Sequence, residues 1–402
     1  MTGPFDGVRV IEVASWTFVP GAGAIMADLG ADVIKVEPPT GDPQRGLRNG
    51  LNADESAPNP FLQVPNRGKR SITLDLSAPA GLAILRRLTK SSDVLLTSYL
   101  PKVRAKLGID IADLRPLNPR LIYVCGSGWG SGGPLADTGG FDSAAAWSAA
   151  GIQYKLTPPG ADEPVPQPAA FFDLQGSSAI AGAVAMALFR RERTGTGGTV
   201  DVSLLATGMW TMSPDLTASA AGSGELPRPN RRDAPNPIVN TYRTQDDRWI
   251  NLVCLQADRF WPELCELLNR PELAVDPRFR DTPARFANRV ACIAELDRAF
   301  FARPLAEWRG VLAGFSGVWS AAATFEEVCQ SEQVADNGYL PEITGADGRP
   351  FRVVAPPYQF DGVPTAPAGP APEIGQHTEE VLLEFGMDWD EISDLRDGGA
   401  LG

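Results

Sequence analysis

The sequence of 402 residues contains a single histidine, His377, and its five cysteines include no Cys-x-x-Cys pair. A Ser-His-Asp triad, a Cys-His dyad or a multi-histidine metal centre would have to be built around that one histidine. His377 lies beside a predicted short C-terminal helix, so we expect it to have a structural role. We therefore expect no metal site. Dispersed cysteines of this kind are typical of core residues in the reducing cytoplasm.

Positive charge is also scarce. There are 36 Lys and Arg residues against 49 Asp and Glu residues, which gives a formal net charge of −13. Nucleic acids and anionic membranes attract basic surfaces, so we expect neither as a partner. No stretch approaches 18 consecutive apolar residues, and the first six residues contain no basic segment. The sequence thus predicts a cytoplasmic protein without a membrane span or a signal peptide.

The first 40 residues follow a strand–helix–strand pattern. Val8–Val13 and Val33–Glu37 are short runs rich in β-branched residues, and Pro20–Leu29 between them is a helix of small residues. A βαβ start predicts a parallel sheet and hence an α/β fold. Further strands are predicted at Ser71–Leu76, Asp93–Thr97 and Leu121–Cys125, and helices at 79–90, 142–151 and Asp173–Arg193.

Composition divides the chain into regions. Residues 221–237 are polar and rich in proline, whereas 238–325 carry Trp249, Trp261 and Trp308 among amphipathic helices. We predict a large domain over 1–220, a linker over 221–237 and a small domain over 238–325. Residues 326–402 are predicted to be a return linker followed by a C-terminal part of the large domain.

A glycine pattern after the first strand partly matches a dinucleotide-binding fingerprint. Gly21 and Gly23 open a helix, and Glu37 ends the next strand, but Met26 takes the place of the third glycine. The alternative is a tight βα connection that needs small residues for packing.

Two groups of basic residues lie near strand ends in this acidic chain. Arg67, Lys69 and Arg70 precede a strand, and Lys102, Arg104 and Lys106 follow another. Clustered Lys and Arg side chains bind phosphates. The alternative is solvated surface charge.

Asp173 follows the apolar pair Phe171 and Phe172 and comes directly before a long predicted helix. The plainest interpretation is a helix N-cap, because Asp is among the preferred residues there. The functional alternative is a carboxylate nucleophile at the positive end of the helix, partly shielded by aromatic rings.

Further motifs occur in a fixed order along nearly the whole chain. They are Gly7–Glu12, Ala27–Pro38, Asn66–Leu76, Gly128–Gly130, Gly140–Asp142, Asp173 with Arg191–Gly197, Val200–Leu204 and Gly375–Thr378. In this order they resemble the class III CoA-transferases, the family that contains formyl-CoA transferase, carnitine CoA-transferase and α-methylacyl-CoA racemase.

The resemblance implies a Rossmann-like large domain built from both chain ends, a smaller middle domain, and a homodimer of interlocked chains. It also implies the reaction, the transfer of CoA from an acyl-CoA to a carboxylic acid acceptor. Asp173 stands at the position of the family's nucleophile. The implied intermediates are an acyl-aspartyl anhydride and an aspartyl-CoA thioester. CoA and acyl-CoA are then substrates, and no permanently bound cofactor is expected.

The resemblance also implies which residues contact CoA. These are Trp16, Thr17, Lys69, Arg70, Leu74, Ser98, Tyr99, Arg104, Lys106, Gly128 and Trp129. Three positions depart from the residues usual in the family, namely Pro38, Ser98 and Leu100. We expect part of the phosphate and adenine contacts to be rebuilt, with Lys102 and Arg104 as substitutes.

Two alternatives to a transferase stay open at this point. One is an acyl-CoA racemase of the same family, which needs a histidine where this chain has Phe141. The other is a CoA-binding homologue that has lost catalytic activity. The unusual residues Pro38, Ser98 and Leu100 are the reason to consider it.

Overall fold

The structure is a computed structural model that describes residues 3–47 and 58–402. The chain divides into two units. The first comprises Met1–Tyr154, Val165–Leu226 and Glu332–Gly402, and the second comprises Lys155–Pro164 and Pro227–Ser331. The sequence predicts a large domain over 1–220, but the structure places residues 155–164 of this range in the second unit.

A sheet of six parallel strands forms the centre of the first unit. The strands are β1 Arg9–Val13, β2 Asp32–Glu37, β3 Arg70–Thr73, β4 Val94–Thr97, β5 Ile122–Ser127 and β6 Gly198–Ser203. Ile11 pairs in register with Ile34 on one side and Leu95 on the other. Alternate residues enter two different cores, since Val10 packs on one face of the sheet and Ile11 on the other. Burial on both faces is what the continuous apolar strands of the sequence predict.

The strand order is β3-β2-β1-β4-β5-β6. The chain reverses its direction of winding between β1 and β4. In open sheets of this kind, ligands bind in the crevice at the carboxyl ends of the strands where the order reverses. The strand order therefore predicts a ligand-binding site at the loops that follow β1 and β4.

Helices cover the sheet on both faces. The helices before residue 227 are α1 Phe18–Asp28, α2 Pro60–Asn66, α3 Pro79–Lys90, α4 Pro101–Leu107, α5 Ile111–Leu114, α6 Ile152–Leu156, α7 Phe171–Thr194, α8 Leu204–Thr211 and α9 Ser213–Ala218. The boundary between the two units falls within α6. The predicted helix 142–151 is a π-helical segment, Ser143–Ser148. Helix α2 falls in a stretch rich in Pro and Asn for which the sequence analysis predicts no element.

Helices α1 and α7 pack closely because both carry small residues at the contact. A Cβ added to Gly21 would lie 2.3 Å from Oγ of Ser177, and one added to Gly176 would lie 2.3 Å from the Phe18 ring. The Ser177 hydroxyl donates to the carbonyl of Phe18 at 2.7 Å. Gly21 thus serves helix packing.

Helix α7, with 24 residues, is the one helix of the described chain that is long and apolar enough to cross a membrane, judged by length and composition alone. Core helices pass the same test. Ile180 and Val184 on this helix are fully buried in the core that also contains α1.

The second unit has its own core. The unit contains three antiparallel strands, β7 Val239–Arg243, β8 Trp249–Val253 and β9 Trp319–Ala321, and the helices α10 Ala257–Leu267, α11 Glu272–Val275, α12 Thr282–Ala287, α13 Arg289–Phe300, α14 Leu305–Leu312 and α15 Phe325–Cys329. Trp261 and Trp308 are fully buried there, together with Cys254, Cys265 and Cys292.

The C-terminal segment belongs again to the first unit. It contains α16 Glu332–Asp336, the short strands β10 Glu342–Thr344, β11 Pro350–Arg352, β12 Gln359–Phe360 and β13 Val363–Pro364, and the helices α17 Thr378–Glu384 and α18 Trp389–Asp397. His377 pairs with the edge strand β3, where its Nδ1 accepts from the backbone N–H of Ser71 at 3.2 Å. Its role is structural.

Candidate active site

A cavity of about 200 Å³ opens at the carboxyl edge of the sheet, where the strand order reverses. The loops after β1, β4 and β5 line it, together with the first turn of α7. The lining residues are Ser15, Trp16, Phe18, Ser98, Leu100, Gly126, Ser127, Gly128, Gly139, Gly140, Phe141, Asp173 and Leu204. Drug-sized ligands occupy pockets of at least about 300 Å³. This cavity is therefore suited to one end of a larger ligand.

Asp173 is the third residue of α7 and the only carboxylate among the described residues that line the cavity. The N-cap of the helix is Ala170, which adopts a left-handed conformation with φ of 56°. The N-cap interpretation of Asp173 is therefore wrong, and its carboxylate does not cap the helix.

Ala170 has no side chain that could accept from the backbone N–H groups of the first turn of α7, and Asp142 supplies the acceptor instead. One carboxylate oxygen of Asp142 accepts from the backbone N–H of Phe172 at 3.2 Å and also from the amide of Gln167. The other oxygen accepts from the N–H of Ser143 at 2.8 Å. Asp142 is thus a fixed, buried carboxylate beside the first turn of α7.

Burial, and secondly the neighbouring charge of Asp142, raises the pKa of Asp173 to about 7. No described residue donates a hydrogen bond to the Asp173 carboxylate to offset this. A carboxylate with a pKa near neutrality is more basic than an ordinary aspartate and still ionised in a large fraction of molecules at pH 7. Such a group is suited to nucleophilic or acid–base chemistry.

Two exposed aromatic side chains, Trp16 and Phe141, meet at the cavity. Their ring centroids are 5.5 Å apart with the ring planes nearly perpendicular, the edge-to-face arrangement that aromatic pairs favour. Trp16 is 38% exposed and Phe141 59% exposed. Trp16 adopts a positive φ of 71°, which is strained for a bulky residue. Its backbone N–H donates to Asp42 at 3.2 Å, which helps to hold that conformation.

Asp42 belongs to a buried cluster of charges below the loops after β1 and β2, which also contains Glu12, Lys35 and Lys69. Lys35 lies 2.9 Å from Asp42 and 3.1 Å from Glu12, and Lys69 lies 2.6 Å from Glu12. Burial opposes the charge on Lys35, but Glu12 and Asp42 outweigh it and raise the pKa of Lys35 above its ordinary value. Burial, together with the charge of Lys35, lowers the pKa of Lys69 to about 8. We call these four residues the buried charge cluster.

The cavity brings together four of the residues that the sequence analysis singled out. Asp173, Trp16, Ser98 and Gly128 all line it, although they are far apart in the chain. A Cβ added to Gly128 would lie 2.8 Å from the Cα of Gly140, so the close approach of the two loops requires glycine at this position. The neighbouring Trp129 ties the two loops together by donating its indole N–H to the carbonyl of Gly139 at 3.1 Å.

Three of the predicted CoA-contact residues do not line the cavity, and their side chains are engaged elsewhere. The ammonium group of Lys69 is buried and paired with Glu12, and Leu74 is 1% exposed within the core. Arg70 begins β3 and therefore lies at the amino edge of the sheet, where it pairs with Asp32 and Glu384. The cavity lies at the opposite edge.

The other predicted contacts lie near the cavity loops without lining the cavity. Thr17 is buried, and its hydroxyl accepts from Gln44 at 3.2 Å. Tyr99 is half-buried next to Ser98, and its carbonyl accepts from Arg104 at 2.8 Å. Arg104 also pairs with Asp110 at 3.1 Å. Lys106, on the same short helix α4, is exposed.

The dinucleotide alternative is not supported by the structure. Gly21 and Gly23 lie within α1, where Gly23 faces the charge cluster and not an open loop. Glu37 is 1% exposed and binds Arg45 through both carboxylate oxygens, at 2.8 and 2.5 Å. A ribose hydroxyl would have to displace that arginine.

The sequence analysis missed the part that Asp142, Ser127 and Leu204 play in the site. The aromatic residues Trp147 and Phe172 belong to the core, at 6% and 1% exposure, and do not line the cavity. One available signal was the rule that residues directly after parallel strands line the crevice. That rule selects Ser98 and Gly128, and excludes Arg70, which opens its strand.

Comparisons with known proteins agree along nearly the whole chain. The model of the family described as CoA-transferase family III matches residues 5–378. An (R)-2-hydroxy-4-methylpentanoate CoA-transferase of Clostridioides difficile is 28% identical over 393 residues, which is 98% of each chain. A cinnamoyl-CoA:phenyllactate CoA-transferase of Clostridium sporogenes is 30% identical over 400 residues, 98% of this chain and 96% of that protein. The crystal structure of a CAIB/BAIF family protein from Brucella suis has a TM-score of 0.84 at 29% identity and covers 96% of this chain and 100% of its own.

Proposed function

The chain belongs to CoA-transferase family III and is a CoA-transferase, and from this premise we propose that it moves CoA between two carboxylic acids with Asp173 as the nucleophile. The observation that carries this mechanism is the position of Asp173. Its carboxylate has a raised pKa and lies at the cavity where the strand order reverses.

The first half of the proposed reaction transfers CoA to the enzyme. A carboxylate oxygen of Asp173 attacks the thioester carbonyl of the acyl-CoA, the carbon–sulfur bond breaks, and CoA leaves as a thiolate. The product is a mixed anhydride of the acyl group and Asp173. The thiolate then attacks the Asp173 carbonyl and expels the first carboxylate, which leaves an aspartyl-CoA thioester.

The second half is the same sequence in reverse with a new acid. The acceptor carboxylate attacks the aspartyl-CoA carbonyl and releases the thiolate, which forms a second anhydride. The thiolate attacks the acceptor's carbonyl, and Asp173 departs as a carboxylate. One thioester replaces another, and no proton is gained or lost overall.

The surroundings of Asp173 support this role. Since no described residue hydrogen bonds to its carboxylate, no donor has to be removed before it attacks. Apolar side chains of the cavity lining, among them Phe18 and Leu204, limit the access of water to the reacting carbon. This protects an anhydride from hydrolysis.

We place the phosphate end of CoA outside the cavity, over α4. The cavity volume suits the acyl group and thioester but not the whole of CoA. Lys102 and Lys106 are exposed on α4, which begins directly after the lining residue Leu100. Arg104 is engaged with Asp110, so we assign it a smaller share of the phosphate contact than the two lysines.

The assembly is proposed from the family resemblance alone. We infer a cytoplasmic homodimer with interlocked chains. Light scattering on the eluted peak of a size-exclusion column would give twice the chain mass of 42.9 kDa.

Intact-protein mass spectrometry after incubation with an acyl-CoA tests the nucleophile. We expect a covalent CoA adduct on the protein, located to the peptide that contains Asp173 and absent in Asp173→Asn. Asp390→Asn is the matched control, because Asp390 also lies in the first turn of a helix but is exposed. An adduct that persists in Asp173→Asn would disprove the proposed mechanism.

A racemase mechanism is disfavoured by Phe141 and Asp142. Racemisation needs two acid–base groups on opposite sides of the α-carbon. Phe141 has none, and both oxygens of Asp142 are occupied by hydrogen bonds within the protein. We expect no deuterium at the α-carbon of a 2-methylacyl-CoA incubated with the enzyme in heavy water. Rapid exchange that depends on Asp173 would reverse this assignment.

A further inference from the structure

The loop between β1 and α1, residues 14–17, brings Trp16 to the cavity and is bound by the buried charge cluster. Trp16 has a positive φ of 71°, which a bulky residue adopts only where its surroundings impose it. We propose that Asp42 is a positioning residue for CoA transfer, which fixes the backbone of Trp16 and so presents its indole to the part of CoA that enters the cavity. This inference rests on the proposed function and extends it to a residue that does not itself line the cavity.

Both carboxylate oxygens of Asp42 accept hydrogen bonds. One accepts from the backbone N–H of Trp16 at 3.2 Å and from that of Gln44 at 3.0 Å. The other accepts from the ammonium group of Lys35 at 2.9 Å. The backbone N–H of Asp42 donates to Glu37 at 2.9 Å, so the residue is held from a further side. A carboxylate is needed here because it offers two acceptor oxygens to donors on two sides, whereas an amide offers one.

The two buried lysines bind the backbone on either side of Trp16. The ammonium group of Lys35 donates to the carbonyl of Ala14 at 3.1 Å, and that of Lys69 donates to the carbonyl of Pro20 at 2.8 Å. With Asp42 on the N–H of Trp16, hydrogen bonds fix this segment at three places. A strained conformation persists only where it is over-determined in this way.

The same loop is joined to the other loops of the cavity. The ring of Trp16 packs edge to face on Phe141, and the backbone N–H of Ser15 donates to the hydroxyl of Ser98 at 3.1 Å. These contacts and those of Asp42 all lie within one chain. The argument therefore does not depend on which residues a second copy of the chain adds to the cavity.

Fluorine NMR of protein labelled with 5-fluorotryptophan measures the surroundings of Trp16 directly. The chain contains nine tryptophans, and Trp16→Phe assigns the resonance of Trp16. We expect Asp42→Asn to shift or broaden this resonance more than those of the other tryptophans, because the amide leaves a donor on one side without an acceptor. An unchanged Trp16 resonance in Asp42→Asn would overturn the inference.

Asp28→Asn is the matched control. The side chain of Asp28 is also fully buried, and its two oxygens accept from Arg67 at 2.7 Å and from the backbone N–H of Ala368 at 2.9 Å. Neither partner lies in the loop 14–17 or lines the cavity. We expect the Trp16 resonance to stay in place in this variant. An equal shift in both variants would mean that any buried carboxylate affects Trp16, and would refute the assigned role of Asp42.

Calorimetric titration with CoA measures the consequence for binding. CoA is the probe because every thioester in the proposed reaction contains it. We expect Asp42→Asn and Trp16→Gly each to lower the affinity for CoA by about fivefold, which is the contribution typical of one aromatic contact. Since Asp42 acts through Trp16, the double variant should be within about twofold of the weaker single variant. Losses that multiply would show that the two residues act independently, against the inference.

Two substitutions of Trp16 itself test the strained conformation. Glycine takes a positive φ without steric cost, whereas alanine does not. Both lack the indole, so we expect Trp16→Gly to unfold at a higher temperature than Trp16→Ala. Both variants keep the buried charge cluster, and this comparison therefore decides the matter if Asp42→Asn does not fold. Equal melting temperatures would mean that nothing holds the loop at positive φ.

The outcomes separate this inference from the proposed function. If Asp42→Asn moves Trp16 and weakens CoA binding, but the wild type forms no adduct on Asp173, the positioning role stands and the proposed mechanism fails. If the adduct forms but Trp16 and the affinity for CoA are unchanged in Asp42→Asn, the mechanism stands and the positioning role fails. If the wild type does not bind CoA, both fail.

Discussion

Asp173 and Asp142 share the carboxyl edge of the sheet with a second group of buried carboxylates, Glu12 and Asp42, yet their surroundings are opposite. Glu12 and Asp42 bind two buried lysines at 2.6 to 3.1 Å. Asp173 has no cationic partner among the described residues of its cavity, and its nearest charged influence is another carboxylate. Within one fold, buried carboxylates thus occur both with and without a cationic partner, and we expect the two kinds to have different roles.

The paired group is structural. A carboxylate that is buried with lysines has its charge stabilised and is a poor nucleophile, but it can fix a backbone. Asp42 does so when it accepts from the N–H of the strained Trp16. Among the described residues, Asp173 has no such partner to compensate its loss of solvent, which is the environment that the proposed mechanism needs. Changes that remove charge should therefore have opposite effects on stability in the two places.

The largest expected effect is on catalysis at the unpaired site. Asp173→Asn is expected to lower kcat for CoA transfer by at least about 10³-fold, since an amide cannot form the anhydride. The affinity for CoA should change by less than about tenfold, or 1.4 kcal/mol. Steady-state assays and calorimetry measure the two quantities, with Asp390→Asn as the control. Full activity in purified Asp173→Asn would end the mechanism.

The next effect is on stability at the paired site. Lys35→Met leaves Asp42 without its lysine and is expected to lower the free energy of unfolding by about 3–5 kcal/mol. Lys102→Met is the control, because Lys102 is exposed and its contact with Asp137 is long, at 3.5 Å. A change of less than about 1 kcal/mol is expected there. Urea denaturation measures both, and similar losses in the two variants would show that the buried charge cluster does not stabilise the fold.

Neutralising Asp173 should have the opposite sign. Its pKa in the folded protein is about 7 against 3.8 for the ordinary group, so the folded state binds the proton more tightly. Ionisation of Asp173 therefore destabilises the fold progressively as pH rises from about 4 to about 7. Asp173→Asn is expected to be more stable than the wild type above pH 7, by about 2–4 kcal/mol. The difference should vanish near pH 4.

Thermal unfolding of both proteins at pH 4, 6 and 8 checks that sign. The gap in melting temperature should open with rising pH. A gap that is constant across the three values would show that Asp173 ionises normally in the folded protein.

The smallest effect concerns Asp142. The acidic limb of the pH profile of kcat/KM is expected near pH 7 in the wild type, because Asp173 must be ionised to attack. Asp142→Asn removes the like charge and should move this limb to lower pH by less than about one unit, since burial is the larger cause of the shift. Steady-state rates from pH 5 to 9 give the limb. A move to higher pH would contradict the assigned repulsion.

Much of the fold could be predicted from the sequence because the sheet is buried on both faces. Its strands are short apolar runs, and the predictions at Val33–Glu37 and Asp93–Thr97 lie within one residue of β2 and β4. Asp173 could be predicted as the candidate nucleophile for a similar reason. Its place in the ordered series of motifs, directly before a long helix, can be recognised from the sequence alone.

The surroundings of the residues predicted to contact CoA could not be predicted from the sequence, because they depend on the direction in which each side chain points. Lys69 and Ser98 look alike in the sequence, as polar residues beside strands. The structure buries Lys69 against Glu12 and places Ser98 at the cavity, where the backbone N–H of Ser15 donates to its hydroxyl at 3.1 Å. No local pattern records which distant carboxylate a lysine will meet.

By itself the sequence determined the class of fold, the family and the position of Asp173, because each rests on local periodicity or on motifs in order along the chain. Only the tertiary structure decided that Ala170 and not Asp173 is the N-cap residue of α7, that the Asp142 side chain accepts from a backbone N–H in its first turn, and that the cavity has no cation among its described lining residues. The physical reason is that the energy of a buried charge depends on what surrounds it in three dimensions. The chain brings those surroundings together from segments more than 100 residues apart.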